Sequence, residues 1–129
     1  MYSHQIREHF ANPRNVGSLE NPSGKAMVRS PVDSDTVLIA LQIENDVIQN
    51  VKFKCMGCAV AIACSSVATE MVLRKHVDVA YAITKQSVAD SLGGIPEYKM
   101  VCSNLAPDAI RMAIDDWRQR QRNNKNTAP

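Results

Sequence analysis

Two cysteines, Cys58 and Cys102, stand where a loop gives way to a helical pattern. At a helix N-terminus, unpaired backbone N–H groups and the helix dipole favour an anion. A thiol there is biased toward the thiolate, the form that ligates a metal or attacks a sulfur donor. The same two residues read equally as small buried hydrophobes. Upstream, Asp33-Ser34-Asp35 sets two carboxylates one residue apart. One reading is a turn held by Asx-type hydrogen bonds; the other is one or two oxygen ligands beside the thiolates. Cys55-Met56-Gly57-Cys58 has the form C-x-x-C, yet a zinc or redox reading needs a second matching pair, and the chain has none. Cys55 shares strand phase with Val51 and Phe53, and Cys64 shares a helical stripe with Val60 and Val67, so both read as core. His4 and His9 on a first helix and His76 at a helix end read as surface or capping residues.

The elements that must position these groups follow from periodicity. Ser3 to Ala11 reads as a short helix with Ser3 as N-cap, closed at Asn12-Pro13 because proline disfavours a helical residue before it. Val37, Ile39, Leu41 and Ile43 alternate along Thr36 to Glu44, and after a turn at Asn45-Asp46 the alternation resumes with Val47, Val51, Phe53 and Cys55. Ala26 to Pro31 adds an edge strand that Pro31 stops. From Ala59 to about Leu73 small and apolar residues fall at helical spacing, which predicts a tightly packed helix beginning near Cys58. Val77 to Leu92 reads as one or two short helices interrupted near Thr84, ended by Gly93-Gly94-Ile95-Pro96. A last helix starts near Ser103 or Asn104 with Pro107 in its first turn, and Ala106, Ala109, Ile110, Ala113 and Trp117 face the core. The order predicts an α+β fold, a small antiparallel three-stranded sheet covered on one face by helices.

Composition narrows the function classes. The chain has 129 residues, the size of one domain with a single core, read as residues 1–129 with a flexible tail over about 120–129. A hydrophobic fraction of 45% and a charged fraction of 22% suit a soluble globular protein. The net charge of +2 and the scattered basic residues argue against nucleic acid as the main partner. The basic stretch Arg118, Arg120, Arg122 and Lys125 has no aromatic interleaving and reads as a solvated helix end. The absence of an export-type segment or a bilayer-length apolar run gives the expectation of a cytoplasmic protein without a membrane partner. Four cysteines then remain thiols, which favours metal or sulfur chemistry over a disulfide framework.

Separated motifs in a fixed order carry a family resemblance. They are Tyr2-Ser3 with Asn12-Pro13-Arg14-Asn15-Val16-Gly17, Pro31-Val32-Asp33-Ser34-Asp35, Gly57-Cys58-Ala59 with Ser65-Ser66, Leu92-Gly93-Gly94-Ile95-Pro96, and Lys99 with Cys102-Ser103-Asn104-Leu105-Ala106. The chain resembles, over nearly its whole length, the NifU-like (IscU-type) iron–sulfur cluster assembly scaffolds. Pro31 to Asp35 falls where that family has Pro-x-Cys-Gly-Asp, and Lys99 to Ser103 where it has Lys-x-His-Cys-Ser.

The resemblance implies a scaffold or carrier rather than an enzyme. It implies sulfur delivered by a cysteine desulfurase, iron or a [2Fe–2S] cluster as cargo or zinc in its place, and transfer to cluster-accepting proteins with chaperone help. By position it implies Cys58, Cys102 and Asp35 as metal-site residues, Cys102 as persulfide acceptor, and Tyr2 and Lys99 as partner-facing residues. Two family ligands are replaced: Asp33 stands at the first cysteine and Val101 at the histidine. Asp33 is the fourth candidate ligand. Carboxylates are harder donors than thiolates, and valine cannot ligate, so the ligand set is altered toward a labile cluster. Two other functions stay open, a binding module that regulates a desulfurase and a zinc-bound persulfide acceptor.

Overall fold

Alternation of buried residues from Val37 to Ile43 and from Val51 to Phe53 builds the centre of the molecule, and a register shift at Gln42/Ile43 buries Ile48 in place of the expected Val47. The computed structural model describes residues 2–127, with side chains as far as residue 124. Strands β1 (Gly24–Arg29), β2 (Thr36–Glu44) and β3 (Val47–Met56) form one antiparallel sheet in the order β1-β2-β3. In its register Val37 faces Cys55, Ile39 faces Phe53 and Leu41 faces Val51. Val37, Ile39, Leu41, Val51 and Phe53 are all buried, and each such side chain contributes roughly 1.5–3 kcal/mol on leaving water. At the hairpin tip Asn45 and Asp46 both have positive φ, 54° and 63°, the backbone a two-residue primed turn requires. The free edge of β3 is covered by the loop before β1: Gly17 N–H donates to Phe53 O at 2.9 Å and Phe53 N–H to Asn15 O at 2.9 Å.

The helices are α1 (His4–Ala11), α2 (Ala59–Val72), α3 (Val77–Tyr81), α4 (Lys85–Ser91) and α5 (Leu105–Thr127), with a 3-10 helix over Glu97–Asn104 ahead of α5. Helices α2 and α5 cover one face of the sheet. The other face carries the exposed Met27 and Leu38 beside Lys25, Lys52 and Lys54. The expected α+β architecture with helices on one side is therefore observed. Close contact between α5 and β1 depends on Gly24, where a Cβ would lie 2.2 Å from the Ala113 carbonyl oxygen.

Several local expectations hold with identifiable causes. Ser3 caps α1 by accepting from Ile6 N–H at 3.0 Å. Thr84 caps α4 in a reciprocal capping box with Ser87, which explains the interruption between α3 and α4. His76 caps α3, accepting from Asp78 N–H at 3.0 Å. In α5, Ala106, Ala109, Ile110 and Ala113 are buried and Trp117 packs at the core margin.

Two further points differ from the sequence reading. Helix α2 is buried on nearly every side, not along one stripe, because Ala61, Ala63, Ser65, Ser66 and Ala68 are small enough to admit neighbours all round. His9 is buried: its Nδ1 lies 2.7 Å from Ser66 Oγ, which also accepts Arg14 N–H at 2.9 Å, and its Nε2 lies 3.4 Å from Glu70. These contacts fasten α1 and the following loop to α2. Helix α5 runs to Thr127, and residues 128–129 of the stretch read as a tail lie outside the described residues.

Candidate functional site

Three segments deliver one thiol or carboxylate each to the end of the sheet where Thr36 pairs with Met56. Asp35 closes the β1–β2 loop, its carbonyl accepting from Ser30 N–H at 2.8 Å. Cys58 lies two residues after the end of β3 and is the N-cap of α2. Cys102 lies in the 3-10 helix, three residues ahead of α5. Ligand atoms of Asp35, Cys58 and Cys102 lie within 4.8 Å of one another. The two sulfurs are 3.6 Å apart. Cys58 N–H donates to Asp35 Oδ2 at 3.4 Å, so the carboxylate faces the start of α2.

The approach of Asp35 depends on Gly57. A Cβ on Gly57 would lie 2.7 Å from Asp35 Cγ and 2.9 Å from Oδ2, closer than real side chains come. The glycine in Met56-Gly57-Cys58 thus makes room for the carboxylate, a role the sequence reading did not assign.

Asp33 is directed elsewhere. Its Oδ1 accepts from Asp35 N–H at 2.9 Å, an Asx-type turn within its own exposed loop. The four expected positions therefore divide: Asp35, Cys58 and Cys102 meet, and Asp33 shapes the loop that presents Asp35. Val101 is partly exposed next to Cys102 and offers no donor atom.

The electrostatics of Cys102 run against the expectation of a helix-favoured thiolate. Burial, then the contact with Cys58 and the neighbouring charges of Cys58 and Asp35, push its thiol up to about 12, and Lys99 opposes them. Cys102 precedes α5 instead of capping it and is only 3% exposed, so desolvation of the anion outweighs any benefit from the helix dipole. Burial also pushes Cys55 up to about 11, and Cys64 higher still, as suits core thiols.

Lys99 has its pKa raised chiefly by Cys58, with Tyr2 and Cys102 adding to the effect. Lys99 precedes Cys102 by three residues in the same 3-10 helix. Tyr2 packs against the core and helps line a cleft with Ser3, Gly93, Gly94, Ile95 and Pro96. Of the two residues expected to face a partner, Tyr2 thus lines a cleft beside the loop that leads into the 3-10 helix, and Lys99 lies in that helix with Cys102.

Two soft sulfur donors and one carboxylate oxygen form a compact three-point set. That chemistry suits a thiophilic cation such as zinc or iron held through three protein ligands and one exchangeable position.

Residues 1–124 match the family model described as the NifU-like N terminal domain. This chain belongs to that family. It is 48% identical over 117 residues to the iron-sulfur cluster assembly scaffold protein IscU 1 of Archaeoglobus fulgidus, covering 91% of this chain and 76% of that protein. It is 40% identical over 124 residues to the scaffold protein IscU of Haemophilus influenzae, covering 93% and 98% of the two chains. Among solved structures, a NifU-like protein from Brucella abortus superposes with a TM-score of 0.71 at 21% identity, covering 91% of this chain and 94% of that one. At that identity the superposition speaks for the fold.

Among the described residues, no helix is long and apolar enough to cross a membrane.

Proposed function

We propose that the chain is an iron–sulfur cluster assembly scaffold or carrier whose cargo, iron or a [2Fe–2S] cluster, is held by Asp35, Cys58 and Cys102. The observation that carries this reading is the convergence of two thiols and a carboxylate within 4.8 Å on three separate segments, in a chain 40–48% identical to proteins named as scaffolds. Sulfur comes from the persulfide of a cysteine desulfurase: its outer sulfur passes to the Cys102 thiolate, and the donor cysteine leaves as a thiolate. A cation at the three-point set assists, because a bound metal stabilises the thiolate that burial disfavours at Cys102. Tyr2 and Lys99 form part of the surface that meets the sulfur donor.

With three protein donors the cargo has one position filled by solvent, a small thiol or an acceptor protein. Weak retention suits a carrier that must release what it holds, and zinc fits the same three ligands with one position open. Asp33 acts by holding the Asp35 loop, through the hydrogen bond from Asp35 N–H to its Oδ1.

Anaerobic reconstitution with ferrous iron and sulfide tests the reading through iron content and visible absorbance. Iron bound with a sulfide-to-iron charge-transfer band is expected, and either Cys58→Ser or Cys102→Ser removes both. A natural protein that takes up neither iron nor zinc has no metal-holding role, and the binding-module reading replaces this one.

A further inference from the structure

The Cys58 and Cys102 sulfurs stand 3.6 Å apart with no side chain between them. A disulfide needs the sulfurs about 2.0 Å apart, so a small movement of either side chain closes the gap. Cys58 is half-buried at the start of a regular helix, and Cys102 sits in a 3-10 helix, whose hydrogen bonds are weaker than those of an α-helix. The more yielding segment thus carries one partner of the pair.

We propose that Cys58 is a resolving thiol for sulfur carried on Cys102, so that the pair converts a bound persulfide into free sulfide. This rests on the reading of Cys102 as persulfide acceptor and adds a reaction to it. In the step, the Cys58 thiolate attacks the inner sulfur, Cys102 Sγ. The Cys58–Cys102 disulfide forms as the bond between Cys102 Sγ and the outer sulfur breaks, and the outer sulfur leaves as hydrosulfide. The outer sulfur is reduced to the sulfide level by two electrons, and the two cysteine sulfurs are oxidised to a disulfide. No further oxidant or reductant enters the step. An external dithiol resets the pair by exchange through a mixed disulfide, returning both thiols.

The surroundings fit the roles. Lys99 precedes Cys102 by three residues in the same 3-10 helix, where side chains so spaced share one face, so its ammonium offsets the charge of the departing hydrosulfide. Cys64 is fully buried, and Cys55 is partly buried against the core, facing Val37 across the sheet, so neither competes as a freely exposed thiol. A cation on Asp35, Cys58 and Cys102 engages both sulfurs and blocks the reaction. The site therefore alternates between holding metal and releasing sulfide, the second ingredient of a cluster, next to where iron is held.

The test uses the full chain, reduced, freed of metal by a chelator, separated from reductant, and given a small-molecule hydropersulfide under anaerobic conditions. Intact mass, peptide mapping and free sulfide are read over time. The natural protein is expected to release about one sulfide per sulfur accepted, to become two hydrogens lighter, and to yield a Cys58–Cys102 cross-linked peptide. Cys58→Ser and Cys58→Ala are expected to stay one sulfur atom heavier at Cys102 and to release sulfide at least about tenfold more slowly, with zinc slowing the natural protein in the same sense. If the natural protein keeps its extra sulfur as long as Cys58→Ser does, or if the disulfide joins other cysteines, the resolving role is overturned and the acceptor role stands. If Cys58→Ser takes up no sulfur while it remains folded by circular dichroism, both roles fall.

Discussion

Replacing Gly57 by alanine probes how the site is assembled. The backbone at Gly57 does not lie in the left-handed region, so alanine meets no conformational penalty there. The three atoms nearest the added methyl all belong to Asp35, at 2.7 Å for Cγ, 2.9 Å for Oδ2 and 3.1 Å for Cβ. All three atoms belong to a side chain at a loop end, so the carboxylate swings aside and loses its alignment with Cys58 N–H. Overpacking of this kind costs about 1 kcal/mol where the neighbour can move, which lowers the melting temperature by roughly 4 °C in a domain of this size. Displacing a ligand or its support weakens metal affinity by roughly 10–100-fold. Thermal unfolding of the metal-free protein by circular dichroism and a zinc titration against a competing chelator read the two effects separately. Asp35→Ala in the same chain removes the two closest contacts, with Cγ and Oδ2, and leaves only the one with Cβ, so in the double variant the cost of Gly57→Ala shrinks by at least about 0.5 kcal/mol. Zinc affinity unchanged in Gly57→Ala, together with a stability cost indifferent to Asp35→Ala, refutes the claim that this glycine makes room for a ligand.

Other outcomes follow from the same structure. Gly24→Ala places a methyl 2.2 Å from the Ala113 carbonyl oxygen and against the Trp117 backbone; α5 must move, so chemical denaturation is expected to show a loss at the upper end of, or beyond, the usual 1–3 kcal/mol for overpacking. Burial is the main cause holding the His9 pKa below its ordinary 6.5, with Arg14 adding and Glu70 and Glu8 opposing. The unfolded chain therefore binds the proton first, and stability falls as pH drops below about 6.5. A pH series of denaturant midpoints is expected to show a smaller acid loss in His9→Gln than in the natural protein, and equal losses contradict the assignment. Asp33→Cys with Val101→His supplies a thiolate and an imidazole at the two altered positions, so reconstituted iron is expected to leave more slowly under chelator challenge. A natural protein that retains iron as long as this variant has another ligand at work.

Much of the fold was legible because its signals are local. Alternation from Val37 to Ile43 and from Val47 to Cys55 identifies the hairpin, and Asn45-Asp46 between them tolerates the two positive φ values of the turn. Ser3 marks the start of α1, the expected interruption near Thr84 is where α4 begins, and Pro107 falls in the first turn of α5, which starts at Leu105, next to the expected Asn104. Cys102 was harder to place, since Glu97–Asn104 carries no 3.6-residue periodicity and a 3-10 helix leaves little trace in residue order. Its thiol is consequently buried ahead of α5 instead of capping it. His9 was misread because its partners, Ser66 and Glu70, lie on α2 more than fifty positions away. The contact of Gly57 with Asp35 is likewise a tertiary fact that neither residue signals alone. Asp33 and Asp35 were read together as a pair; only their hydrogen bond separates the loop residue from the candidate ligand.

The central claim is that Asp35, Cys58 and Cys102 together hold a metal, and the most direct measurement is X-ray absorption at the zinc edge of the protein loaded with one zinc per chain. The account predicts two sulfur neighbours at about 2.3 Å and lighter oxygen neighbours at about 2.0–2.2 Å, with one sulfur lost in Cys58→Ser and one in Cys102→Ser. A shell of oxygen and nitrogen alone, or one unchanged by either substitution, contradicts it.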